Sequence, residues 1–101
     1  MTSYIANHTK KLRILKKREQ ELVRSLTRAD SPEKLERAAQ RVRDARIRVL
    51  AMKRAKIPPK DPNYIAVHQR YTKEISELSA LSLDSILNEF KDSLQKQKTE
   101  T

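Results

Sequence analysis

A chain of 101 residues is the size of one domain with a single modest core, and 37% hydrophobic content is enough to fold it despite 36% charged residues and a net charge of +10. Glycine is absent, which removes the usual residue of positive-φ turns and so argues against a β-rich fold, Walker loops, dinucleotide fingerprints and nucleophile elbows. Cysteine is absent too, leaving no disulfide, thiolate nucleophile or sulfur-based zinc site.

The first segment places Ile5, His8, Leu12, Leu15, Glu19, Leu22 and Leu26 at alternating steps of three and four, one face of a helix over residues 3–28. Its lack of acids before Glu19, with Thr2, Ser3 and Thr9 among the bases, also resembles a mitochondrial transit peptide. The same stretch supplies bundle-forming positions, so the expectation is an intracellular protein, cytoplasmic or nuclear ahead of mitochondrial. No apolar run approaches the ~20 residues of a membrane span.

Asp30-Ser31-Pro32-Glu33 reads as a helix start, with Asp30 or Ser31 as N-cap, proline in the first turn and an acid favoured by the dipole. The second helix spans 32–56, with Leu35, Ala38, Val42, Ala45, Val49 and Met52 in phase. Ala39, Ile47 and Leu50 widen its apolar face, as suits a middle helix touching two neighbours. Alanines at its core positions allow close approach.

Ile57-Pro58-Pro59-Lys60-Asp61-Pro62 is a break, after which Asp61 caps a third helix with Pro62 in its first turn. Tyr64, His68, Tyr71, Ile75 and Leu78 are in phase, and the stripe resumes at Leu83, Leu87, Phe90 and Leu94 after a step of five. Two readings fit: one long helix over 62–95 with a change of face, or a break with Ser82 capping a fourth helix. The single long helix is preferred, with a frayed tail over 97–101. The expected fold is all-α, an antiparallel three-helix bundle with coiled-coil-like packing, one slender domain over residues 1–96. Part of its third helix would lack a partner, making Leu83, Ile86, Leu87, Phe90 and Leu94 candidates for self-association or for a coiled-coil partner.

Charge is unevenly placed. Residues 1–60 hold 18 of the 23 Lys and Arg against 6 of the 13 Asp and Glu, whereas residues 61–101 hold 5 against 7. Lys10, Lys17 and Arg24 recur every seven residues away from the Leu stripe, with Lys11 and Arg18 beside them. On the second helix Lys34, Arg41 and Arg48 flank the apolar seam, with Arg43 nearby and Arg46 and Lys53 on the other edge. Such positions in a paired coil usually carry complementary charges, but here bases face bases. One reading is a solvated surface partly neutralised by Glu74, Glu77, Glu89 and Asp92. The other is a polyanion site, chiefly for phosphates of nucleic acid, formed by Lys10, Lys11, Lys17, Arg18, Arg24, Arg41, Arg43 and Arg48. Tyr4, Tyr64, Tyr71 and Phe90 sit at core phase and are not interleaved with the bases, so base stacking and sequence readout are not expected. Lys53-Arg54-Ala55-Lys56 and the stretch from Lys10 to Arg18 have the composition of short nuclear-localisation signals.

His8 and His68, the two histidines, fall at core phase near one end of the bundle; a pH-sensitive pair is one reading, and two ordinary residues at the wet end of a core the other. They do not supply a metal site, and no serine has an evident base and acid beside it. Neither catalytic residues nor a cofactor are expected. The leading expectation is a non-catalytic helical module binding nucleic acid or another polyanion; the alternative is a protein–protein adaptor that docks on an acidic surface or assembles through the third helix. A membrane-surface role ranks below both, because the first helix lacks Trp and Phe and needs its apolar face internally.

Overall fold

The computed structural model describes the backbone of residues 2–100 and the side chains of residues 9–96. Four helices follow in order: α1 (Thr2–Thr27), α2 (Pro32–Ala55), α3 (Tyr64–Ala80) and α4 (Leu83–Glu100), and no strand occurs among the described residues. The domain measures 48 × 30 × 29 Å, thicker than the slender rod expected. No helix is long and apolar enough to cross a membrane among the described residues.

α1 and α2 form a hairpin whose turn is made without glycine. Ala29 takes the left-handed conformation at φ 54°, the Ala29 N–H donates to the Leu26 carbonyl, and the Asp30 N–H donates to that of Ser25. This is a Schellman closure with alanine at the position where glycine is usual. Ser31 then stands at the N-cap of α2 with Pro32 in the first turn; its side chain makes no capping hydrogen bond.

The third helix expected over 62–95 is two helices, and the five-residue step in the stripe marks the joint. The Leu81 N–H closes α3 on the Leu78 carbonyl, and Leu81 itself is extended, at ψ 135°. Ser82 then caps α4, accepting the Ser85 N–H on its hydroxyl at 3.2 Å. Arg43 of α2 completes the joint by donating Nη1 to the Leu81 carbonyl at 3.0 Å. α3 begins at Tyr64, two residues beyond the expected start, because Asp61 builds a turn rather than a cap: its carboxylate accepts the Asn63 N–H and its carbonyl accepts that of Tyr64. Helical backbone in α4 continues to Glu100, through the stretch expected to fray.

α2 is the central element, in contact with all three others; among the described residues α3 packs on α2 alone, and α4 lies across both helices of the hairpin. The core is densest there, with Leu22, Ala39, Val42, Ile86, Leu87 and Phe90 buried together. Ala39 and Ala45 are both buried, and the missing side-chain bulk lets neighbours approach α2 closely. Toward the other end of the hairpin the packing thins. Val49 and Met52 are buried, but Leu12 is 39% exposed and α3 contributes no buried residue. Ile5, the Tyr4 ring and His8 belong to side chains outside the described residues, so the paired-histidine reading lies there as well. His68 is half-buried and tilts its ring against Tyr64 at 5.5 Å between centroids. Of the aromatics expected in the core, Phe90 is buried, whereas Tyr64 and Tyr71 are half-buried.

The fold also changes the reading of the fourth-helix stripe. Ile86, Leu87 and Phe90 are 1%, 7% and 8% exposed, covered by the hairpin of the same chain, while Leu83 packs against that cluster and Leu94 is half-buried. A second helix in place of one long one folds this stripe back onto α1 and α2, so it is core and not an open docking face.

Candidate functional site

The side of the hairpin away from α3 and α4 is a basic groove between α1 and α2. Its residues recur at helical spacing because each helix turns one stripe toward its neighbour. At the end away from the hairpin turn, Lys10, Lys11 and Ile14 face Ala45 and Arg48 across a recess of about 240 Å³. Ile14, Ala45 and Arg48 continue into the next section, where Arg18 faces Arg41 and Asp44. Arg41 in turn borders a larger cleft of about 440 Å³ at the hairpin turn, lined also by Glu21, Arg24, Ser25, Arg28, Asp30, Lys34, Arg37 and Ala38. The shared residues make the three sections one run.

Nine bases and three acids line this run. Two of the acids are held within it: Glu21 pairs with Arg18 at 3.1 Å and Asp30 with Arg28 at 3.2 Å. Among the described residues, Lys10, Lys11, Arg24, Lys34, Arg37, Arg41 and Arg48 have no acidic partner within ion-pair distance. Close packing of like charge raises the local potential, and the two helices bring these bases nearer than sequence alone would.

Of the eight bases expected to bind a polyanion, six line the groove: Lys10, Lys11, Arg18, Arg24, Arg41 and Arg48. Lys17 is exposed on α1 but lines none of the three sections. Arg43 is a correction. It faces α3 and spends Nη1 on the Leu81 carbonyl, because α3 packs against the side of α2 opposite Arg41. Three lining bases went unread in the sequence: Arg28, Lys34 as a groove residue, and Arg37. For Lys34 and Arg37 the signal was available, since Lys34, Arg37, Arg41 and Arg48 follow steps of three, four and seven along one stripe of α2.

On the other side of α2, charge is compensated. Arg46 is gripped by Glu89 of α4 at 3.2 and 2.6 Å, has Glu19 of α1 at 3.5 Å, and lies 5.5 Å from the centre of the Phe90 ring. The hydrogen bond and charge of Glu89, aided by Glu19, raise the Arg46 pKa above its ordinary value despite partial burial. Arg54 donates to the Thr72 hydroxyl at 3.1 Å and so ties α2 to α3. Lys73 and Glu77 pair along α3 itself at 4.0 Å. Arginines on this side therefore hold the fold together, and those in the groove do not.

No group of three or more His, Asp or Glu able to hold a metal occurs among the described residues. Comparisons of the chain with family models, curated proteins and solved structures give no match.

Proposed function

We propose that this protein is a non-catalytic module that binds nucleic acid, or a polyanion like it, through phosphate contacts along the groove between α1 and α2. The observation that carries the reading is the separation of the two kinds of base. Arg43, Arg46 and Arg54 have partners in α3, in α4 or in the joint between them, whereas seven bases converge on the groove without acidic partners. Holding like charges this close costs stability, and a row of phosphates relieves that repulsion while releasing counterions. Binding of this kind depends on the backbone and is sensitive to salt. Base readout has no support in the groove, because none of its lining residues is aromatic.

The reading is tested by fluorescence anisotropy of labelled duplex DNA and single-stranded RNA, titrated at low and near-physiological salt, with an Arg41→Glu, Arg48→Glu variant alongside. Micromolar binding that falls steeply with salt and is lost in the variant supports it. Absence of binding at low salt sinks it.

A further inference from the structure

The cleft at the hairpin turn differs from the rest of the groove in having a buried polar floor. Ser25 is 8% exposed and lines this cleft. Its carbonyl accepts the Asp30 N–H in the turn, but its hydroxyl has no hydrogen-bond partner among the described residues. A buried hydroxyl left unmatched forfeits the hydrogen bond it makes in water, so an occupant with an acceptor oxygen is favoured there. Four bases without acidic partners surround it: Arg24, Lys34, Arg37 and Arg41. The rim acids are occupied, Glu21 by Arg18 and Asp30 by Arg28.

A phosphodiester carries one negative charge, whereas a phosphate monoester carries close to two near neutral pH and offers three acceptor oxygens. Both accept hydrogen bonds, but the second, with the greater charge and one more acceptor oxygen, is the better match to a site with four unpaired cations and a buried donor. The place of the cleft adds direction. Residues 28–31 join α1 to α2 at this end, so the groove is closed here, and its described part runs from this turn to Lys10, Lys11 and Arg48. From Lys10 to Arg28 the helix rises about 27 Å, the length of about eight nucleotides of one strand.

We propose that the cleft takes the terminal phosphate monoester of a nucleic-acid strand whose remaining phosphates follow the groove toward Lys10. This rests on the polyanion reading and adds an end to it. The Ser25 hydroxyl donates to one phosphate oxygen, and Arg37 and Arg41 contact the others through their guanidinium forks.

The test uses internally labelled single strands of about ten nucleotides, identical except for a 5′-phosphate, a 3′-phosphate or hydroxyls at both ends. Adenosine monophosphate serves as the unattached monoester. One phosphorylated strand is expected to bind about tenfold more tightly than the hydroxyl-ended strand, the worth of one charge-assisted hydrogen bond. Ser25→Ala, a change that suits a helix interior, should remove most of that advantage, read as the ratio of phosphorylated to hydroxyl-ended strand binding in the same variant. Equal binding of all three strands, or an advantage that survives Ser25→Ala, overturns the inference and leaves the polyanion reading standing. Adenosine monophosphate binding as tightly as the phosphorylated strand also overturns it, since the site would then take the monoester without the strand. Failure of every strand to bind removes both.

Discussion

Arg46 and Glu89 meet through two parallel hydrogen bonds, at 3.2 and 2.6 Å, although 43 residues separate them in sequence. The pair fastens α4 to α2, and the Phe90 ring beneath the guanidinium shields one side of it. Glu89 is more than half exposed, so solvent screening keeps the pair modest. A double-mutant cycle of Arg46→Ala and Glu89→Ala should give a coupling of about 0.5–1 kcal/mol in urea unfolding. Arg46→Ala alone should cost more, about 1–2 kcal/mol, because the contact with Phe90 goes as well. The sign of the pH dependence follows from the raised pKa: the Arg46 contribution is complete below the ordinary arginine range and fades only above it. Between pH 6 and 9 its loss should therefore cost the same.

Ala29 holds a conformation that glycine adopts without strain. Ala29→Gly should stabilise the protein by about 1 kcal/mol, raising the melting temperature by several degrees. A lower melting temperature would mean that the lost Cβ or the added freedom of the unfolded chain outweighs the relief.

Ile86 is 1% exposed against Leu22, Ala39 and Val42. Ile86→Ala should cost about 2–5 kcal/mol and Ile86→Val about 1 kcal/mol, measured by chemical denaturation. An exposed docking residue would show neither loss, and its substitution would change the mass in light scattering instead.

Arg41 and Arg43 are two residues apart on α2 and point to opposite duties. Arg41→Gln should weaken nucleic-acid binding and lower the salt slope by about one. Arg43→Gln should leave binding within about twofold and cost about 1 kcal/mol of stability by releasing the Leu81 carbonyl. The reverse pattern would place the binding surface on the wrong side of α2.

Much of this was legible in the residues. Pro32 and the apolar phase located α1 and α2 to within a residue or two, because both signals are local. The step of five after Leu78 marked the joint between α3 and α4, but did not decide between a changed face and a break. Ser82, the local signal for a break, is also compatible with an uninterrupted helix, and the contact of Arg43 with the Leu81 carbonyl from 38 residues away, which supports the joint, is in no local pattern. The heptad of bases on α1 and α2 pointed to the groove. Which side of α2 would carry α3 was invisible, since its apolar face was wide enough for either, and so Arg43 was grouped with Arg41. The buried hydroxyl of Ser25 was likewise out of reach, because serine on a helix is usually exposed.

The central position of α2 also shapes how the chain acquires its structure. α1 joins α2, and α2 joins α3, through contacts between segments adjacent in sequence; among the described residues only the docking of α4 on the hairpin closes a long loop, through Leu22 and Glu89 among others. Chains dominated by neighbouring contacts search quickly, on the microsecond to millisecond scale. The hairpin can form first and carry its groove before α4 arrives, and α3, with no buried residue of its own, opens at a lower free energy than the rest. Amide protons of α3 should exchange ahead of those around Leu22 and Val42.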